Sequence, residues 1–103
     1  MSDAQVSLGA NGELCLSGLI DYRNGPALRQ AGQALIGQLA AATAVVIDCT
    51  AVEKSSSVGI ALLLAFMRDA AAQKRTVSIT NLPEDMRHIA EVSGLLEILP
   101  LAA

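Results

Sequence analysis

Three consecutive serines, Ser55, Ser56 and Ser57, followed by Val58-Gly59, are the residues of this chain whose types and spacing best suit chemistry. They lie between the apolar run Val45-Val46-Ile47 and the apolar run Ile60-Ala61-Leu62-Leu63-Leu64, which reads as strand, loop and helix with hydroxyls crowding the helix start. Four roles are open to them. As a nucleophile, Ser57 sits one substitution short of the G-x-S-x-G elbow, since Ser55 stands where a first glycine would let backbones approach. Asp69 or Asp85 and His88 follow in hydrolase order, but a lone histidine near the end of so short a chain is more often a surface residue. As an anion site, the helix start offers free N–H groups, although no G-x-x-x-x-G-K-[ST] is present to support triphosphate hydrolysis. As a phosphorylation site, Ser57 would place about −2 charge at the positive end of the helix. As caps, the serines need do no more than close the helix, for which one of them suffices.

Composition narrows the field. A chain of 103 residues reads as one domain over residues 1–103 with a single core. Tyr22 and Phe66 are its only aromatics, so Leu, Val, Ile and Ala must fill that core. A net charge of −3 with scattered Lys and Arg leaves no basic stripe for nucleic acid. The start Met1-Ser2-Asp3-Ala4-Gln5 lacks the marks of a secretory signal, and no apolar run approaches the roughly 20 residues that span a bilayer. A cytoplasmic protein without direct membrane insertion is expected. Cys15 and Cys49 read as free structural thiols without metal-ligand spacing. With His88 the only histidine, neither a metal nor a cofactor is expected.

The elements that must position the serines follow from periodicity. Asn11-Gly12 between two alternating runs predicts a hairpin with a type I′ turn, with strands near Gln5 to Leu8 and Glu13 to Ser17 and Cys15 facing away from Leu14 and Leu16. Gly18 to Gly25 reads as a connection in which Asn24 caps a helix running to about Ala41. Its apolar stripe is Leu28, Ala31, Leu35, Leu39 and Ala42, and Gly32 and Gly37 each weaken it by about 1 kcal/mol relative to alanine. Ala44 to Asp48 reads as a central strand covered on both faces. The helix after the serines spans about Val58 to Gln73, with Lys74-Arg75 complementing its dipole. A strand over Thr76 to Thr80 and a helix from Glu84 to Ser93, stopped by Gly94, complete the alternation. Leu95, Leu96, Ile98 and Leu99 form a last turn packed on the core. The whole is an α/β mixed sheet of about four strands with helices mainly on one face.

On a helical wheel Ile60, Leu63, Leu64, Met67 and Ala71 form the core face of the central helix. Val58, Ala61, Leu62 and Ala65 form a second apolar side, which either another element covers or a partner does. Polar residues take over beyond Arg68, as at the rim of a local patch.

The run Asp48-Cys49-Thr50-Ala51-Val52, together with Ser57, Gly59 and Leu62-Leu63-Leu64, resembles the central motif of the STAS family of anti-sigma factor antagonists and sulphate transporter tails. That resemblance implies a non-enzymatic binding module, with Ser57 at the position phosphorylated in family antagonists. Where those antagonists carry aspartate before the serine, this chain has Ser56. Within the family it looks most like the short MlaB branch, through its A-L-L-L helix and the closing Leu99-Pro100. This implies a cytoplasmic accessory subunit that binds the ATPase of a phospholipid ABC transporter and, through it, meets the permease at the inner membrane. In the family the residue matching Ser57 lies in that contact; here the loop Ser55, Ser56 and Ser57 and the helix residues Val58, Leu62 and Ala65, expected to face outward, are the expected docking surface, and the alternative is an anti-sigma factor antagonist switched by phosphate on Ser57.

Overall fold

The computed structural model describes residues 4–40 and 43–102. The strands are β1 (Gln5–Leu8), β2 (Leu14–Ile20), β3 (Val45–Ser55) and β4 (Val77–Thr80), and the helices are α1 (Gly25–Gln38), α2 (Ser57–Ala72) and α3 (Glu84–Val92). They form one sheet in the order β1-β2-β3-β4, antiparallel between β1 and β2 and parallel across β2-β3-β4. Leu14, Leu16 and Ile20 of β2, Val45, Ile47 and Cys49 of β3, and Ile79 of β4 share one core with Leu28, Ile36, Ile60, Leu63, Phe66, Met86 and Ala90 of the helices. The expected mixed sheet with helices on one face is therefore present.

Several expectations are corrected. In the β1-β2 turn only Gly12 has positive φ, while the Gly12 N–H bonds Gly9 O and the Gly9 N–H bonds Glu13 O. This is a three-residue loop closed by a left-handed glycine, not the two-residue type I′ turn. Gly18 to Ile20 is strand and not connection: Gly18, at φ 88°, lets β2 take up the register shift between Gly18 and Leu19 and continue. α1 ends at Gln38, and the alanines expected near its end, Ala41 and Ala42, lie outside the described residues. Its buried positions are Gly25, Leu28, Gly32 and Ile36, whereas Ala31 is exposed. The face turns because Gly32 admits the Phe66 ring, which any Cβ there would overlap.

β3 reaches Ser55 and not Asp48. β4 pairs only with Val45–Asp48, and β2 carries the remainder of the strand. Val46 and Asp48 are partly exposed, so β3 is central but covered on one face only. Asp48 Oδ1 accepts hydrogen bonds from Thr50 Oγ1 (2.6 Å), Thr50 N (3.0 Å) and Asn81 Nδ2 (3.1 Å), tying β3 to the loop after β4. The Thr50 hydroxyl bond, followed by that from Asn81, holds its carboxyl below the ordinary 3.8. Arg75 does not serve the α2 dipole. Its Nη1 donates to Ala40 O (2.6 Å) and Thr43 O (3.1 Å) and its Nη2 to Leu39 O (2.8 Å), so it closes the end of α1.

α3 ends as expected, with Leu95 N bonded to Ala90 O and Gly94 N to Glu91 O. The last turn is a short 3-10 helix, Leu96–Ile98, and of its apolar residues Leu99 is buried and Ile98 exposed. Beyond it Ile79 N bonds Pro100 O, and Ala102 N bonds Ile79 O, so the tail covers the outer edge of β4.

Candidate functional site

The serines stand where two parallel strands end and two helices begin. Ser56 N donates to Ile20 O at 3.1 Å, joining the end of β3 to the end of β2. Asn24 holds the other side: its Nδ2 donates to Leu19 O (2.8 Å) and its Oδ1 accepts from Asp21 N (3.0 Å). Asn24 thus fastens α1 to β2 through its side chain and does not cap the helix with it, as the sequence suggested. α1 and α2 consequently start side by side at the carboxyl ends of β2 and β3, the edge at which open α/β sheets generally place their sites.

Each serine has a separate role. Ser55 is buried; its hydroxyl donates to Ser56 O at 2.7 Å and its N–H to Asp85 Oδ2 at 3.4 Å. Its Oγ and Met86 lie so close to Gly59 that a Cβ there would overlap the hydroxyl and come within 2.9 Å of Met86 Cε. Ser56 is the cap, accepting from Val58 N at 3.2 Å, a bond worth about 1 kcal/mol. Ser57 opens the helix, exposed, and among the described residues its hydroxyl has no side-chain hydrogen bond. No acidic residue occupies the first turn of α2, so the positive end of its dipole is not neutralised from within the helix.

The second apolar side of α2 is largely covered. Leu62 is 4% and Ala65 7% exposed, and both form the floor of a groove between α1 and α2. The expectation that they project outward is corrected, because α1 packs over that side from Gly25, where a Cβ would meet Val58 Cγ1 at 2.8 Å. Val58 is half-buried and Ala61 exposed. On the core side Ile60 and Leu63 are buried as expected and Leu64 and Met67 partly so, while Ala71 is exposed and Phe66 and Ala70 take the deepest places. Nor is the helix polar beyond Arg68: Asp69 is buried and bound at 3.1 Å through Oδ1 to Arg29 Nη2, leaving Arg29 Nε and Asp69 Oδ2 buried without partners.

The groove encloses about 380 Å³, lined by Tyr22, Gly25, Pro26 and Arg29 from the α1 side and by Val58, Ala61, Leu62, Ala65 and Arg68 from α2. Tyr22, 77% exposed, stands at its mouth. Tyr22, Arg29 and Arg68 were not singled out from sequence. A lone aromatic in a stretch read as connection was the one available sign.

Among the described residues no catalytic constellation surrounds Ser57. Asp69 is engaged by Arg29, and Asp85 by the N–H groups of Ser55 and Met86. His88 is exposed on α3, and its imidazole makes no hydrogen bond among the described residues. Among the described residues no three His, Cys, Asp or Glu side chains gather as a metal site would require. No helix of the described residues is long and apolar enough to cross a membrane. Cys49 is buried among apolar side chains, and that burial pushes its thiol up to about 12; Cys15, partly buried near Glu13 and Asp48, is raised by its burial and by those carboxylates. Both thiols are free.

Comparison with known proteins now bears on this site. The family model described as "Mlab, STAS domain" matches residues 4–100. Among solved structures, a chain of the Acinetobacter MlaFEDB complex in its ATP-bound Vtrans2 conformation is 31% identical, covering 94% of this chain and 100% of that one at a TM-score of 0.78. An anti-sigma factor antagonist from Mycobacterium paratuberculosis is 28% identical over 96% of this chain and 83% of its own, at a TM-score of 0.74. The anti-sigma factor antagonist SpoIIAA in its unphosphorylated form shares the fold at 20% identity, covering 98% of this chain and 89% of its own with a TM-score of 0.70. No curated protein matches. A family model spanning nearly the whole chain, and a fold shared from end to end, lead to one conclusion: the chain belongs to the STAS domain family.

Proposed function

We propose that this protein is a non-enzymatic accessory subunit that binds and stabilises the ATPase of an Mla-type phospholipid ABC transporter, and so serves outer-membrane lipid asymmetry. It would sit in the cytoplasm, held at the inner membrane through that assembly. The observation that carries the reading is the 31% identity to a chain of the MlaFEDB complex over that chain's full length. The site agrees with it. A rigidly held helix start presents Ser57 and Val58 beside Tyr22 and Ala61, with Ser56 spent on the cap and Ser55 on the packing beneath. Such a surface acts by linkage: a subunit that binds the assembled ATPase better than its loose form shifts that equilibrium by the difference in affinity.

The direct test replaces Ser57. In Ser57→Glu the new carboxylate lies at the positive end of α2 and is tolerated by the fold. The variant should melt at the wild-type temperature or slightly above yet fail to co-purify with the ATPase, while Ser57→Ala keeps the interaction. Undiminished co-purification of Ser57→Glu contradicts the reading. A second reading, an anti-sigma factor antagonist, draws on the exposure of Ser57 and on the match at 28% identity. Intact-mass measurement after incubation with a cognate kinase and ATP separates the two, since one added phosphate on Ser57 favours the antagonist.

A further inference from the structure

We propose that the groove between α1 and α2 seats an amphipathic helix of the partner protein, one whose apolar stripe is flanked by aspartate or glutamate. This assignment rests on the docking reading above and gives the partner's surface a chemistry. The shape comes first. Two helices lying side by side leave a groove that a third can enter by ridges into grooves. The walls are kept low by Gly25 and Ala61, and the floor is apolar through Leu62 and Ala65. Tyr22 at the mouth supplies the large, exposed aromatic that interface centres favour.

Charge selects the partner's flanks. The chain carries ten acidic and seven basic residues, yet the titratable groups lining the groove are Tyr22, Arg29 and Arg68, with no carboxylate among them. Asp69 lies buried nearby and is hydrogen-bonded to Arg29 through one oxygen. Asp21, beside Tyr22, is bound to Arg23 at 2.6 Å. Among the described residues Arg68 has no ion pair, and Arg29 spends one Nη2 bond on Asp69. A net negative protein therefore presents a locally positive, apolar-floored cleft beside its exposed serine, which complements carboxylates on a partner. A fatty-acid-like anion shares this chemistry, but a small ligand needs most of its surface enclosed, and this groove, bounded by two helices, covers one side of its occupant.

The experiment measures affinity for the purified transporter ATPase by calorimetry for the unaltered full chain, Ala61→Trp, Arg68→Glu and Arg68→Lys. Ala61 and Arg68 are exposed, so unchanged melting temperatures verify the fold. Ala61→Trp should fill the groove and weaken binding at least tenfold. Arg68→Glu should weaken it about tenfold at low salt and flatten the salt dependence, whereas Arg68→Lys stays within about twofold. If the unaltered chain does not bind, the docking reading itself falls. If it binds and Ser57→Glu abolishes binding while Ala61→Trp and Arg68→Glu do not weaken it, the groove assignment alone is overturned. Loss with Ala61→Trp but not with Arg68→Glu overturns the acidic flanks. Saturable binding of dodecanoate that Ala61→Trp removes, with ATPase affinity unchanged, overturns the helix in favour of a small amphiphile.

Discussion

The interface between α1 and α2 has two halves that solve the same packing problem differently. On the core side, Phe66 drives its ring onto Gly32, both residues are buried, and nothing could be added without displacement. On the outer side, Gly25 approaches Val58 but the helices then part around Tyr22, Ala61 and the two arginines, leaving the groove. The Arg29–Asp69 pair ties the two helices together, with one atom of each residue buried and unpartnered. A closed half secures the fold, and that security lets the open half remain incompletely packed. Interfaces left unfilled at one end are costly to stability and are retained where something else fills them.

The contrast can be broken from the closed side first. Phe66→Ala removes the largest fully buried side chain and should destabilise the domain by about 3–5 kcal/mol, a cost read from urea unfolding. A loss below about 1 kcal/mol would show that the core side of this interface is not closed as described. A smaller effect sharpens the account of the core beneath. The Cys49 thiol is raised by burial from 9.0 to about 12, so it stays neutral in the folded chain where the unfolded chain has begun to ionise. Its contribution is complete below pH 9 and is lost as pH rises from 9 toward 12. Unfolding free energies measured at pH 8 and pH 10.5 should therefore fall less in Cys49→Ala than in the unaltered chain, and equal slopes would contradict the burial.

Much of this was legible in the sequence because hydropathy periods report burial wherever apolar side chains do the packing. β1, β4, α3 and the span of α2 follow their patterns to within a residue or two. β3 outruns its apolar pattern because its burial changes from every second residue to every third after Cys49, through Val52 to Ser55, as register shifts against β2 interrupt the alternation. The α1 face departs from its apolar stripe because Gly32 is one of its buried positions, and a glycine that makes room for an aromatic adds nothing to a hydrophobic stripe. At the site, the three serines and Val58 could be found from their spacing at a helix start. Burial of Leu62 and Ala65 could not, since it depends on where α1 crosses. The gathering of Tyr22, Arg29 and Arg68, from segments about forty residues apart, is likewise a product of the parallel β2-β3 pairing.

In the docking proposed above, the open half, with Ser57 at its edge, receives the ATPase while the closed half does not. Hydrogen exchange of the full chain with and without the purified ATPase tests it most directly. Exchange should slow in peptides covering residues 21–29 and 56–62 and stay unchanged in β1, β4 and α3. Protection confined to the polar face of the sheet or to α3, with residues 21–29 and 56–62 unaffected, would contradict it.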